Sequence, residues 1–338
     1  MTQMMKAVRQ HSFGGPDVLT YEDAPIPEPA KGEIRIRVKA ASLNPPDWYL
    51  RDGYSALPPE WRPEENFPLI LGTDVSGVVD LVGEHVTGFT PGDEVYSMMR
   101  FPDAIMEGSG AYAEYVLVPA AQVGHKPDGI DHVAGAGAPM SLLTAWQFLV
   151  EVGHDAPNPF QPVPHVPVPL KGKRVLVNGA AGGVGHLALQ VAKWQGAHVI
   201  AVASGLHDEI LRDLGADEVI DYTQVKPEEV STDLDLVLDC VGGAAAARFL
   251  ACMNPGGALF IVNPLGFDGK DEADRLGITV SSTQVRSSGA QLDTVAPLLA
   301  DGTIRVVTDT ALPLAEAARA HERAAEGHIQ GKIVLTID

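Results

Sequence analysis

A glycine-rich stretch between two apolar runs has the residue types and spacing that point most directly to chemistry. The segment 178–185 holds four glycines in eight residues, follows the apolar run 175–177, and precedes a segment with helical spacing of apolar residues, 186–195. Such a turn lets the backbone approach a pyrophosphate, which the N–H groups at the helix N-terminus then bind. A purely steric turn is the alternative, but a strand before the glycines and a helix after them favour binding. The stretch predicts a dinucleotide site.

The elements that position this turn form one strand–helix–strand unit. Gly196 ends the predicted helix, and the apolar run His198–Ala203 predicts a second strand. Further apolar runs at 219–220, 234–239 and 258–262 predict more strands of the same sheet. The pattern is typical of an α/β fold with a parallel sheet.

The tip of the second strand bears on which dinucleotide is bound. A site for NAD usually places an acid there to hold the ribose 2′-OH, but this chain has no acid until Asp208. Ser204 can bind a 2′-phosphate, although no Arg or Lys stands in this loop and the serine could simply be a helix N-cap. The missing acid favours NADPH over NADH.

At this point the sequence resembles a known family. The glycine turn 179–185 and the segment Leu214–Tyr222 are similar to the zinc-independent quinone oxidoreductase group of the medium-chain dehydrogenase/reductase superfamily. The likeness runs from Lys6 to Leu335. It implies a GroES-like, β-rich catalytic domain and a Rossmann, doubly wound NADP-binding domain. We predict the first at 1–123 and 290–338, and the second at 124–289.

The resemblance also implies a catalytic site. Asn44 is expected beside the nicotinamide, and Tyr49 and Tyr54 are expected to line the substrate cleft, although the spacing to Tyr54 is one residue short of the family's pattern. A phenol can donate a hydrogen bond to a carbonyl or quinone oxygen, but both rings could equally be packing residues. Zinc-dependent relatives have cysteine where this chain has Asn44 and histidine where it has Thr73, so we expect no metal.

Further residues are predicted around the cofactor. Val262 and Asn263 are expected to hold the carboxamide through their backbone, and the turn at 240–243 lies where ligands of open α/β sheets gather. By the family resemblance, Thr144 is expected to touch the nicotinamide or its phosphate side, and the alternative is a hydroxyl bonded to its own helix. Lys332 could reach a cofactor phosphate, and the alternative is an exposed strand lysine. The predicted cofactor residues are Thr144, Gly179, Ala181, Gly182, Gly183, Val184, Ser204, Cys240, Val241, Val262, Asn263 and Lys332.

Composition narrows the class of protein. A chain of 338 residues, 45% of them hydrophobic, is long enough for two domains with separate cores. A formal charge of −20 argues against nucleic acid and anionic membranes as partners. Cys240 and Cys252 cannot build a disulfide framework, and no apolar signal core or membrane-length run is seen, so we expect a cytoplasmic protein.

These observations predict a metal-free, NADPH-dependent reductase that passes hydride to a quinone or another electron-poor conjugated carbonyl. The alternatives are an enoyl-thioester or enone reductase and, in another class, an NADPH-binding sensor without turnover. The family resemblance implies a homodimer paired through an edge strand at 279–285. The loops 55–66 and 101–110 carry no motif, so the natural acceptor cannot be predicted.

The segment 153–170 departs from the family's pattern. It contains six prolines, which forbid a helix and predict an extended, polyproline-like excursion. We expect a surface insertion in which His154 and His165 are solvated.

Overall fold

A computed structural model of the chain describes residues 3–102, 109–158, 161 and 163–338. The chain divides into two compact units. The first unit comprises Met1–Leu143, Arg286–Gly302 and Val306–Asp338, and the second comprises Thr144–Val285 with Thr303–Arg305.

Strands and helices of the described residues are numbered in chain order. The strands are β1 (Met4–Gln10), β2 (Leu19–Pro25), β3 (Glu33–Ser42), β4 (Leu69–Ile70), β5 (Asp74–Val82), β6 (Glu94–Met98), β7 (Tyr115–Pro119), β8 (Val123–His125), β9 (Arg174–Asn178), β10 (His198–Ala203), β11 (Glu218–Asp221), β12 (Leu234–Asp239), β13 (Met253–Ile261), β14 (Thr279–Ser281), β15 (Thr308–Pro313) and β16 (Lys332–Thr336). The α-helices are α1 (Pro45–Arg51), α2 (His132–Gly137), α3 (Pro139–Leu149), α4 (Gly183–Trp194), α5 (Asp208–Asp213), α6 (Pro227–Val230), α7 (Lys270–Leu276), α8 (Gly289–Ala300) and α9 (Ala317–Ala325).

The second unit contains a six-stranded parallel sheet in the order β11-β10-β9-β12-β13-β14. Val177 lies at its centre, paired with Ala201 on one side and Leu238 on the other. These residues are fully buried, as expected for a parallel sheet covered on both faces. The strand order reverses between β9 and β12, which confirms the predicted doubly wound arrangement.

The first unit is built on a seven-stranded sheet in the order β15-β16-β3-β5-β6-β8, with β7 also paired to β3, and a three-stranded sheet β2-β1-β4. Alternate residues of β3 (Ile34, Ile36 and Val38) are fully buried, as their period of two predicts. The last strand, β16, pairs antiparallel with the end of β3, so that Val334 stands opposite Ser42. This pairing brings the start of β16 to the residues just after β3.

The first unit includes residues 124–143, which the sequence analysis assigned to the other domain. The reason is the packing of α2 on the seven-stranded sheet. Ala136 of α2 is buried against Ala40 and Val334, and the His132 Nδ1 atom lies 2.9 Å from the Ser76 hydroxyl oxygen.

The proline-rich segment forms no helix or strand in its described residues, as predicted. However, the expectation that His165 is solvated is wrong, since only 3% of this residue is exposed. Its Nδ1 atom lies 2.9 Å from the Ser281 hydroxyl oxygen and its Nε2 atom 2.9 Å from the Phe148 carbonyl oxygen. The segment is therefore anchored to its own unit through a buried histidine.

The edge strand is shorter than the predicted 279–285, because β14 ends at Ser281. Beyond it, the backbone of Gln284 bonds to side chains of the proline-rich segment. The Gln284 N–H donates to Gln161 Oε1 at 3.0 Å, and the Gln284 carbonyl oxygen lies 2.9 Å from His154 Nε2. Across the described ranges, no helix is long and apolar enough to cross a lipid bilayer.

Candidate active site

The glycine turn of the second unit is shaped by one residue in a left-handed conformation and one close backbone approach. Gly179 has a φ of +73°, which favours glycine, and a Cβ at Gly185 would lie 2.1 Å from the Gly179 carbonyl oxygen. Gly182 then precedes α4, whose first residues are Gly183 and Val184. The first N–H groups of a helix have no acceptor within it. The turn therefore presents backbone donors at the end of β9, as a phosphate site requires.

A buried carboxylate fixes the neighbouring turn. Asp239, the last residue of β12, accepts a hydrogen bond of 2.7 Å from the Asn178 side chain and bonds of 2.9 and 3.0 Å from the N–H groups of Val241 and Gly242. The predicted cofactor residues Cys240 and Val241 lie in this turn. Since Asn178 ends β9, the carboxylate connects the carboxyl ends of two adjacent strands at the point where the sheet order reverses.

Ser204 lies directly after β10, where the sequence predicts a cofactor contact. The residue is only 7% exposed, and its hydroxyl oxygen is buried with no hydrogen-bond partner among the residues that the structure describes. Asp208, the first acid beyond this strand, is paired instead with Arg212, at 2.9 and 3.2 Å. A buried hydroxyl without a partner fits a site completed by a polar ligand.

Three more predicted cofactor residues belong to the second unit. Thr144 lies in α3 and is buried, and Val262 and Asn263 directly follow β13. The Val262 N–H donates to the Asp239 carbonyl oxygen at 3.0 Å, and the Asn263 carbonyl oxygen accepts from the Gly243 N–H at 3.0 Å. The turns after β12 and β13 therefore hold one another in place.

In the first unit, a buried polar cluster surrounds Asn44. The Asn44 side-chain oxygen accepts a hydrogen bond of 2.5 Å from Lys332 Nζ. Its Nδ2 atom donates to Asp74 Oδ2 at 2.8 Å and to Thr73 Oγ1 at 3.1 Å. Its backbone N–H donates to Asp47 Oδ2 at 2.8 Å, so the Asp47 side chain caps the start of α1. Every hydrogen-bonding group of the Asn44 side chain is thus directed into the protein.

Lys332 is buried, with 3% of its surface exposed, so the alternative of an exposed strand lysine is wrong. Besides Asn44, its ammonium group contacts the Leu43 carbonyl oxygen at 3.1 Å and the Ser141 hydroxyl oxygen at 3.3 Å, and it lies 4.0 Å from Asp74 Oδ2. Its predicted contact with a cofactor phosphate stays a prediction.

The two carboxyls of the cluster titrate near neutral pH. Burial raises the pKa of Asp47 to about 7, an effect increased by the charge of Asp74 and opposed by hydrogen bonds from the Asn44 and Gly72 backbone. Burial also raises the pKa of Asp74 to about 6, although the ammonium of Lys332 acts against this increase. The cluster pairs one cation with two acids, so one carboxyl lacks a compensating charge.

Both predicted catalytic tyrosines stand on or beside α1, the helix that Asn44 precedes. Tyr49 is 43% exposed, and its ring centroid lies 5.9 Å from that of Tyr54. Tyr54 is half-buried with a φ of +52°, and its N–H donates to the Tyr49 carbonyl oxygen at 2.6 Å. Burial and the charge of Asp47 raise the pKa of the Tyr54 phenol, which keeps it a hydrogen-bond donor.

Comparison with known proteins shows which families this chain resembles. Residues 30–128 match the alcohol dehydrogenase GroES-like domain, and residues 214–335 match the family described as zinc-binding dehydrogenase. The chain is 36% identical over 338 residues to the mitochondrial NAD(P)H oxidoreductase RTN4IP1 of Mus musculus, covering 90% of this chain and 82% of that protein. It is 30% identical over 352 residues to the chloroplastic quinone-oxidoreductase QR1 of Triphysaria versicolor, covering 98% of each.

A solved structure extends the likeness to the whole fold. The quinone oxidoreductase from Coxiella burnetii superposes with a TM-score of 0.86 at 31% identity, covering 99% of this chain and 100% of that one. The chain belongs to the quinone oxidoreductase group of the medium-chain dehydrogenases/reductases. It is an oxidoreductase, and its cofactor is a nicotinamide dinucleotide.

Zinc, which the name of one matching family suggests, does not fit the Asn44 cluster. The cluster offers an amide and hydroxyls where zinc-dependent members of the superfamily have cysteine and histidine, and it contains the ammonium of Lys332, which repels a cation. Over 3–102, 109–158, 161 and 163–338, no three His, Cys, Asp or Glu residues are grouped so that they could hold a metal.

Sequence reasoning missed two members of the Asn44 cluster of this oxidoreductase. Asp74 and Ser141 were not selected, and Lys332 was assigned to another role. The available signal was a charged residue within an otherwise buried strand, which requires a partner. Residues 103–108 of the predicted substrate loop 101–110 lie outside the described residues.

Proposed function

We propose that the protein is an NADPH-dependent, metal-free reductase that passes hydride to a quinone or another conjugated carbonyl. The observation that carries this proposal is the Lys332–Asn44–Thr73 arrangement, in which an ammonium, an amide and a hydroxyl take the place of the ligands that would hold a metal to polarise a simple ketone. Quinones and enones need less polarisation, because the added charge delocalises into a quinolate or enolate. The names of the relatives agree with this acceptor class.

Residues of the second unit support the cofactor part of the proposal. The N–H groups of Gly183 and Val184 would hold the pyrophosphate, and the Ser204 hydroxyl would bind the 2′-phosphate that distinguishes NADPH from NADH. The loop directly after β10 contains no acid before Asp208, and the carboxylate of Asp221 beside it accepts a hydrogen bond from the Gly205 N–H. When bound, the reduced nicotinamide supplies the hydride.

Residues of the first unit support the acceptor part. The phenols of Tyr49 and Tyr54 can donate a hydrogen bond to the oxygen on which charge develops. The amide of Asn44 is directed into the cluster, so we assign it to holding the start of α1 rather than to bonding the acceptor. Reduction of a quinone also takes up a proton, which a phenol can deliver.

The test compares oxidation of NADPH and NADH with an ortho-quinone and with an α,β-unsaturated acyl thioester. Quinone turnover with a preference for NADPH is expected. Turnover of the thioester alone would instead indicate an enoyl-thioester reductase. Tight NADPH binding with no turnover would indicate a sensor, and stoichiometric zinc in the purified protein would contradict the metal-free reaction.

A matched pair of serine variants tests the cofactor preference. Ser204→Ala should weaken NADPH binding about tenfold and leave NADH binding unchanged, since a charge-assisted hydrogen bond to the phosphate is lost. Ser231→Ala is the control, because Ser231 is also buried with an unpartnered hydroxyl in the described part of the same unit but follows α6. Equal effects on both cofactors would contradict the role of Ser204. A cytoplasmic location and a homodimer stay predictions.

A further inference from the structure

The hydrogen bonds of Lys332 account for its whole ammonium group. A lysine ammonium has three hydrogens and no acceptor. Three acceptors surround Nζ: the side-chain oxygen of Asn44, the carbonyl oxygen of Leu43 and the hydroxyl oxygen of Ser141. A neutral amine could donate only two of these bonds and would have to accept the third from the Ser141 hydroxyl. The carboxylate of Asp74, 4.0 Å from Nζ, favours the charged lysine, whose three donors are then all used inside the protein.

This charge also fixes the direction of the neighbouring bonds. Lysine can only donate, so the Asn44 atom beside it must be the carbonyl oxygen, and ionised Asp74 can only accept, so the atom beside it must be the amide nitrogen. The second amide hydrogen then points to Thr73 Oγ1, whose own hydrogen is left to bond Asp47 Oδ2 at 3.4 Å. With Lys332 charged and both carboxyls ionised, the chain of bonds has one direction.

We propose that Lys332 is a positioning residue of this reductase, and that its buried ammonium locks the Asn44 side chain and, through it, the start of α1. Asp47 on α1 receives bonds from Asn44 N–H and from the Thr73 hydroxyl, so both ends of the hydrogen-bond chain meet at this helix. The helix carries Tyr49 and leads directly into Tyr54. The effect on turnover rests on the proposed function, but the lock itself does not.

The position of Lys332 in the chain makes the lock depend on the tertiary fold. Lys332 opens the last strand and is 288 residues away from Asn44, and the pairing of β16 with β3 carries it there. Among the residues that the structure describes, the other charged or titratable groups that face the cluster are Asp47, Asp74, Tyr54 and Tyr112. None of these is a cation, so removal of the ammonium leaves two buried carboxyls without a counter-charge.

The test replaces Lys332 with methionine, which has a similar length and no charge. Lys270→Met is the control, since Lys270 forms an exposed ion pair with Asp274 on α7. Asparagine-selective ¹⁵N labelling gives a simple spectrum, because the chain has six asparagines, and Asn44→Ala identifies the Asn44 amide signal. Hydrogen exchange of this side-chain amide is measured together with kcat and the NADPH dissociation constant.

In folded Lys332→Met we expect faster exchange of the Asn44 amide and a fall in kcat of about 100-fold, as for other displaced catalytic groups, with NADPH binding unchanged. The control should match the wild-type protein in all three. Unchanged amide exchange in a folded variant would overturn the proposal. Weaker NADPH binding with unchanged exchange would also overturn it and would make Lys332 a phosphate ligand.

A second variant covers the case in which Lys332→Met does not fold. Lys332→Met/Asp74→Asn leaves fewer unpaired buried charges, so it should unfold at a higher urea concentration than the single variant while its kcat stays low. Wild-type kcat in this double variant would overturn the proposal. If the wild-type protein itself reduces no acceptor, the proposed function fails, and stability and amide exchange still decide the role of Lys332.

Discussion

The carboxyl of Asp47 should make the free energy of unfolding depend on pH in a way that one substitution isolates. Its pKa rises from 3.8 to about 7 in the folded protein, because it is buried and lies near Asp74. A carboxyl with a raised folded pKa favours the folded state when it is protonated. Its stabilising contribution is therefore complete below a pH of about 4 and is lost as the pH rises through about 7.

The magnitude follows from the two pKa values. At pH 5 the carboxyl is ionised in the unfolded chain but protonated in the folded one, whereas at pH 8 it is ionised in both. At about 1.36 kcal/mol per pKa unit, Asp47 lowers the free energy of unfolding by about 2 kcal/mol at pH 5 and by about 4 kcal/mol at pH 8, relative to a carboxyl that stays protonated. The difference between these two pH values is about 2–3 kcal/mol.

Asp47→Asn removes this titration. Asparagine has a single acceptor oxygen for the N–H groups of Asn44 and Gly72, so the variant also loses a hydrogen bond, by an amount that does not vary with pH. Urea unfolding at pH 5, 6, 7 and 8 should therefore show that the stability of the variant relative to the wild-type protein increases by about 2–3 kcal/mol from pH 5 to pH 8. Asp271→Asn, at an exposed position of α7, is the control. Parallel curves for Asp47→Asn and wild type would refute the reasoning.

Three further substitutions test other parts of the structure. Gly185→Ala should lower stability and abolish dinucleotide binding, because the new Cβ would lie 2.1 Å from a backbone oxygen. Gly182→Ala is the control: its Cβ would lie 3.5 Å from the nearest atom, so its urea midpoint should match that of the wild-type protein. Tyr54→Phe should lower kcat on the order of 100-fold without changing NADPH affinity, and an unchanged kcat would exclude the phenol as a donor. His165→Ala should lower the free energy of unfolding by about 2–3 kcal/mol, since it removes a buried ring and two hydrogen bonds, and a loss below about 0.5 kcal/mol would contradict that anchoring.

The parts of the site that could be predicted from the sequence are those formed by neighbouring residues. The turn around Gly182 and the serine after β10 lie within one strand–helix–strand unit, where the spacing of glycines and apolar residues reports the local geometry. The cluster around Asn44 could not be predicted in this way. Its members come from four separate segments of the chain, and only strand pairing brings them together.

The proline-rich segment gives the opposite lesson. Its composition correctly excluded regular structure, but composition does not report which residue of an extended segment will be buried. His165 is buried because it meets Ser281, 116 residues away, and the Phe148 carbonyl oxygen near the end of α3, 17 residues away. The local sequence pattern therefore predicted correctly that the segment forms no helix or strand, but it did not predict that His165 is buried.

The position of Lys332 in the last strand has a consequence for how the protein is made. The second unit is one continuous stretch apart from residues 303–305, whereas the first unit needs residues from near both ends of the chain. During synthesis, Asn44, Asp47 and Asp74 leave the ribosome long before the cation that they surround. Domains generally fold as units and the N-terminal parts emerge first, so the glycine turn can be complete while the Asn44 cluster still lacks its charge. Closure of that cluster is thus a late step, and a chain interrupted before β16 would keep two acids for which it has no counter-ion.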